Sequence, residues 1–235
     1  MILKKGVPYG ASDLVKLSEC GYILSSLGKH ATQEIFSEFA AQLGKKLGSR
    51  NIGVKLVEGL GSDEWLPKHT ESITQNEKSL LQYFALACIQ PSRKGGATCI
   101  YDARKAAQLI LQQAPELANL RIQYTSTVYP NQRAVHKLVS RDAQFGFVLR
   151  YRSKTDTNKI LGSLPTGMNE TQFYKFVDKI VDSALSKQHY WKVGDILCVN
   201  NRITLHSREP YTGKRTMVRF RFDDPHFKNI KIPKS

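Results

Sequence analysis

In the segment LPKHTES, His69 and Glu71 stand two residues apart. On an extended chain, residues i and i+2 face the same side, so an imidazole and a carboxylate converge there. They are two of the three groups in the facial set that holds non-haem Fe(II) and leaves positions open for substrate and oxygen. The pair alone equally fits an ordinary surface strand. Far along the chain, DILCVNNRITLHSREPYTGKRTMVRFRFDD supplies His206 at the end of an expected strand, followed by an expected turn over residues 209–213. The next expected strand, residues 215–222, begins nine residues after that histidine, and the histidine's strand is its expected neighbour. It alternates strictly: Thr216, Val218, Phe220 and Phe222 form one face, and Arg215, Met217, Arg219 and Arg221 the other. An arginine row is either a solvated face or a wall that pairs bidentately with carboxylates. In RKGGATCIYD, Gly95 and Gly96 permit a tight turn into a strand, on which Thr98 presents a hydroxyl early.

The order H-T-E, G-G-x-T, G-D-x-L-x-x-x-N-R-x-x-L-H and T-G-x-R-x-x-x-R resembles the taurine dioxygenase and clavaminate synthase-like Fe(II)/2-oxoglutarate oxygenases, over about residues 66–224. The resemblance implies a double-stranded β-helix core, a jelly roll of the cupin kind. It implies that His69, Glu71 and His206 are the catalytic metal ligands for Fe(II). It also implies that Arg215 and Thr98 hold the distal carboxylate of 2-oxoglutarate, and that Arg219 meets an anionic group of the substrate. It gives Arg221 no role. The implied reaction consumes O2 and 2-oxoglutarate, releases succinate and CO2, and hydroxylates an unactivated C–H bond. Because the carboxylate position is filled by Glu71, a hydroxylase is expected over a halogenase. Two departures stand out: Asn200-Asn201-Arg202 replaces the usual D-N-R, and 235 residues is short for the family. The shortfall falls in the N-terminal part and in the stretch between Glu71 and His206.

These residues must be positioned by elements that the sequence also marks. ATQEIFSEFAAQLGKKLG carries Ile35, Phe36, Phe39, Ala40 and Leu43 at helical spacing, with Thr32 as cap and Gly44 or Gly48 as stop. DARKAAQLILQQAP reads as a helix capped by Asp102 and stopped at Pro115. NETQFYKFVDKIVDSALSKQ is a third, with its apolar residues on one face and His189 near its C-terminal end. Between them SLLQYFALACIQ, GGATCIYD, AQFGFVLRYRS, DILCVNNRITLH and RTMVRFRFDD are short, β-rich and bounded by turn residues. The expected class is α+β, mainly β: one oxygenase domain over 1–235, with 1–60 mostly helical and 61–235 a jelly-roll core carrying a helical insert and flanking helices.

Composition sets the outer bounds. A hydrophobic content of 41% permits an ordinary core, and no apolar run reaches the length of a membrane span or a signal sequence. Cys20, Cys88, Cys99 and Cys198 are scattered without a CxxC, as in a cytoplasmic protein with reduced thiols. The net charge of +15 calls for anionic partners. The first reading is a small anionic or amino-acid-like substrate, free or on an acidic carrier protein. An oxygenase acting on nucleic acid is the second, against which stands the lack of an aromatic–basic strip. A non-catalytic basic β-sandwich binding protein is the third. His30, His136 and His226 read as ordinary surface or core histidines. Trp65 suits either the pocket mouth or the core, and Tyr124 and Tyr151 are pocket candidates.

Overall fold

Alternation along the strands decides the architecture, because each strand has one face for a helix or the partner sheet and another for a cavity. The computed structural model describes residues 11–29, 31–77, 80–223 and 229–230. Its helices are α1 (Ala11–Glu19), α2 (Gln33–Lys46), α3 (Ala103–Gln113) and α4 (Glu170–Ser183). The early strands are β1 (Tyr22–Ser26), β2 (Ile52–Ser62), β3 (Leu66–His69), β4 (Tyr83–Gln90), β5 (Lys94–Gly95) and β6 (Thr98–Asp102). The middle of the chain forms β7 (Arg121–Thr125), β8 (Arg133–Lys137), β9 (Val139–Asp142), β10 (Gly146–Leu149) and β11 (Asn158–Leu161). The last are β12 (Leu185–His189), β13 (Asp195–Asn200), β14 (Thr204–Arg208), β15 (Tyr211–Phe222) and β16 (Asn229–Ile230).

A seven-stranded sheet in the order β1-β13-β4-β15-β2-β16, with β5 on β15, faces a four-stranded sheet in the order β12-β6-β14-β3. All pairings are antiparallel. This is the expected mainly-β jelly roll. Phe84, Cys88, Leu197, Val199 and Met217 of the larger sheet pack with Ile100 of the smaller one and with Trp191. On the outer face of the larger sheet, α2 buries Phe36, Phe39, Ala40 and Leu43 against Val218, Phe220 and Phe222. Helices α3 and α4 cover the smaller sheet, with Ala106, Ile110, Phe173 and Val177 against Cys99, Tyr101 and Leu205.

The caps follow the sequence. Thr32 accepts the Ile35 N–H, Asp102 accepts the Arg104 and Lys105 N–H groups, and Asn169 closes a reciprocal capping box with Gln172. Gly48, with φ +70°, follows the end of α2, whereas Gly44 lies inside the helix, where a Cβ would stand 2.8 Å from Ile52. Gly95 is required by its setting: φ is +70° and a Cβ would approach the Pro210 carbonyl oxygen to 2.2 Å.

Several expectations are corrected. Residues 11–60 hold two helices, but also β1 and most of β2, which are strands of the larger sheet. Helix α4 ends at Ser183, and His189 closes β12, because that segment satisfies its backbone against β6. DILCVNNRITLH is two strands joined by a turn at residues 201–203. They lie in different sheets, as a jelly roll requires when the chain crosses the sandwich. The same crossing separates β14 from β15. The arginine strand starts at Tyr211, not at Arg215, and its neighbours are β2, β4 and β5, so the strand of His206 lies across the sandwich from it. The four cysteines are free, three of them buried and Cys20 exposed. No described helix is long and apolar enough to cross a membrane.

Candidate metal centre

His69, Glu71 and His206 come together with one ligand atom each, all within 4.8 Å of one another. His206 pairs with His69 in the register of β14 and β3, and their rings lie 4.1 Å apart between centroids. Glu71 does not reach them by strand alternation. Strand β3 ends at His69, and Glu71 opens a turn in which Ser72 has φ +57°. A buried side chain holds that turn. Asn201 accepts the Glu71 N–H at 2.8 Å and donates to the Glu71 carbonyl at 2.9 Å and the Leu81 carbonyl at 2.8 Å. His136 supports it from the other side, with Nε2 2.9 Å from the carbonyl oxygens of both Ile73 and Gln75. His136 is thus a core histidine, as expected; His30 and His226 lie outside the described residues.

The two oxygens of Glu71 have different surroundings. Oε2 stands 3.4 Å from His206 Nε2 and 3.7 Å from His69 Nε2. Oε1 meets Arg221 in a close ion pair and Arg219 at 3.4 Å. Burial opposes ionisation of this carboxyl, but the Arg221 guanidinium, the two histidines and Arg219 outweigh it and hold it well below the usual carboxylate range. Burial, then the nearby His69, lowers His206 to about 4 against the pull of Glu71. His206 is therefore a neutral donor near pH 7. His69 Nδ1 lies 2.7 Å from the Pro67 carbonyl oxygen, so it carries the proton and Nε2 is left as an electron-pair donor. Two imidazoles and one carboxylate directed at a common point fit a divalent iron of the facial type.

The centre opens on a cavity of about 300 Å³. Thr98, Arg215 and Arg219 all line it. The indole N–H of Trp191 donates to Thr98 Oγ1 at 3.0 Å, so the threonine proton is available to the cavity. Burial and the neighbouring Arg208 lower Arg215 to about 10, and both guanidinium groups lie over the Tyr211 ring, Arg215 at 5.8 Å and Arg208 at 4.7 Å. Arg208 was not singled out from the sequence, although it follows His206 at i+2 and pairs with Thr98 in the sheet register. Trp65 is exposed and does not line the cavity, while Tyr124 and Tyr151 are buried in the core beneath α4.

Residues 28–221 match the taurine catabolism dioxygenase TauD, TfdA family. A curated relative, the (S)-phenoxypropionate/alpha-ketoglutarate-dioxygenase of Delftia acidovorans, is 25% identical over 144 residues, which are 53% of this chain and 49% of the relative. The match thus spans about half the length of that relative. The fold is shared with the PvcB protein of Pseudomonas aeruginosa, at a TM-score of 0.72 and 15% identity over 94% of this chain and 84% of that one. It is also shared with a taurine dioxygenase from Burkholderia xenovorans, at a TM-score of 0.67 and 16% identity over 91% and 82%. With a family match over most of its length and a jelly roll that carries the His–Glu–His centre, the chain belongs to the TauD/TfdA dioxygenase family.

Proposed function

We propose that the chain is a single-domain Fe(II)/2-oxoglutarate-dependent oxygenase that hydroxylates a small anionic or amino-acid-like molecule, free or attached to an acidic carrier protein. The observation that carries this reading is the convergence of His69, Glu71 and His206 on a cavity that is also lined by Thr98, from the sheet that bears the two histidines, and by Arg215, from the facing sheet. Fe(II) with 2-oxoglutarate supplies oxidation of a C–H bond by O2, with release of succinate and CO2.

The chain's own residues supply geometry and charge. His69 is fixed in one tautomer by its bond to Pro67. Glu71 presents Oε2 beside the histidines while Arg219 and Arg221 hold Oε1. A carboxylate in this position favours hydroxylation over halogenation, because it fills the place a halide would need. Arg215 and Arg208 bring positive charge to the distal carboxylate of 2-oxoglutarate, and Thr98 donates its hydroxyl proton to it. Val57, Leu66, Ile73, Phe84, Leu86 and Met217 form the apolar part of the lining and keep water from the reacting carbon. Arg219, on the cavity side of β15, meets an anionic group of the substrate. The net charge of +15 supports an anionic substrate and docking of an acidic carrier domain.

The test is an anaerobic titration with Fe(II) and 2-oxoglutarate, read by the visible charge-transfer band of the complex. The wild type develops the band. Arg215→Ala needs about tenfold or more 2-oxoglutarate for it, the scale of one lost charge-assisted pair, and Glu71→Ala weakens iron binding. No band from the wild type at saturating iron overturns the reading.

A further inference from the structure

The cavity continues past the iron ligands into a second recess. Lys55, Ser72, Gln75, Ser126, Arg219 and Arg221 line this recess, and Ser72, Ser126, Arg219 and Arg221 also line the first cavity. The two spaces are therefore contiguous. Lys55 on β2 stands directly opposite Arg219 on β15 in the antiparallel register. Like charges in that position destabilise a sheet, so the pair is a cost to the fold. Arg221 adds a third cation on the same face of β15.

Among the lining residues of both spaces Glu71 is the single acid. Arg219 and Arg221 both reach it, and with Lys55 they bring three cations to this recess. Lys55, Arg219 and Arg221 are the cations that line the recess and face a group entering it. An uncharged donor completes the recess: Ser72 Oγ is buried and has no hydrogen-bond partner among the described residues. Buried polar groups of this kind require one.

We propose that this recess is a subsite for a dianionic group of the substrate, a phosphate monoester or a pair of carboxylates, seated between Lys55, Arg219 and Arg221. As a substrate subsite it rests on the oxygenase reading; as an anion site it does not. Arg219 alone would suit a singly charged group. Lys55 and Arg221 raise the preferred charge to two and set the distance between the charged group and the oxidised carbon.

Hexyl phosphate, hexanoate and hexan-1-ol share a chain and differ in head charge. Each is titrated calorimetrically at fixed ionic strength and pH 8 into protein held without oxygen in Fe(II) and 2-oxoglutarate. The charge-transfer band is recorded on the same samples. Hexyl phosphate is expected to bind about tenfold tighter than hexanoate, the scale of an added charge-assisted contact, and hexan-1-ol weakest. Lys55→Gln should bring the phosphate-to-carboxylate ratio close to one, whereas Lys159→Gln, an exposed lysine outside the recess, should not. Equal affinity for phosphate and carboxylate, or a preference that survives in Lys55→Gln, overturns the proposal. A Lys55-dependent preference without the band would sink the oxygenase reading and leave the dianion site standing.

Discussion

The two faces of β15 differ in what they do with the same backbone. Outward, Val218, Phe220 and Phe222 are buried under α2 in a continuous apolar cluster. Inward, Arg215, Arg219 and Arg221 line the cavity with Met217 among them. The outer face stabilises by removing apolar area from water. The inner face gathers like charges around one carboxylate, which weakens the fold and readies it for anions. Stability and binding are thus separated by a period of two along one strand, and substitutions on the two faces should fail in different ways.

The largest effect is expected on the outer face. Phe220→Ala leaves a cavity under α2 and should lower stability by about 3–5 kcal/mol, seen as a reduced midpoint in chemical denaturation. A loss below about 1 kcal/mol would show that α2 is not anchored there and would break the comparison. Next comes Asn201, which belongs to neither face but sets where Glu71 stands against the arginines. Asn201→Ala removes three hydrogen bonds to the backbone around Glu71 and Leu81. A loss of about 2–3 kcal/mol follows if the freed backbone groups are left without partners. Iron affinity, measured by competition with a chelator, should fall about 10- to 100-fold, as for other residues that orient a metal ligand. Unchanged affinity in a folded Asn201→Ala would mean that Glu71 finds its position without the clamp.

What was legible in the sequence follows the range of the forces involved. The faces of β15 and the caps at Thr32 and Asp102 depend on residues a few positions apart, and the structure has them as expected. Thr98, Arg215 and Arg219, which the motif order picks out, lie on the cavity lining. The convergence of His69 with Glu71 was expected for the wrong reason. It comes from a turn held by Asn201, 130 residues away, and no local period encodes that. The end of α4 was misplaced because pairing of β12 with β6 outweighs helix propensity after Ser183. The placement of β14 across from β15 was hidden because the turn between them reads as a hairpin until the crossing of the sandwich is known. Arg208 stands at i+2 from His206, but what makes it a cavity residue is its pairing opposite Thr98, about a hundred residues away, which no local pattern encodes.

A smaller, pH-dependent effect is expected at His136. Burial lowers its pKa below the ordinary value, against the pull of the Gln75 and Ile73 carbonyls. The folded state therefore favours the neutral ring, and the unfolded chain takes up the proton first as pH falls. The stability this residue contributes is full above about pH 6.5, the unfolded value. It is lost as pH drops from there towards the folded value, and stability rises with pH across that window. His136→Gln should flatten this part of the stability–pH curve relative to wild type, with a loss of about 1–2 kcal/mol at pH 7.5 from the carbonyls it ceases to bridge. An unchanged slope would assign the pH dependence to other buried histidines.

The smallest effect bears most directly on the inner face. If Lys55 opposes Arg219 at the expense of the fold, Lys55→Gln should gain a few tenths of a kcal/mol, because it relieves a like-charge cross-strand pair. The gain should shrink as salt is raised, since an exposed lysine is screened over a Debye length of about 10 Å at 0.1 M. The outer face has no counterpart: nothing there should become more stable on losing a group, and nothing there should respond to salt. A Lys55→Gln protein that is less stable than wild type at every ionic strength would make Lys55 a structural residue and the inner face an ordinary charged surface. A gain that disappears at high salt, together with weaker binding of anions, would mark residues retained at a cost to stability for what they bind.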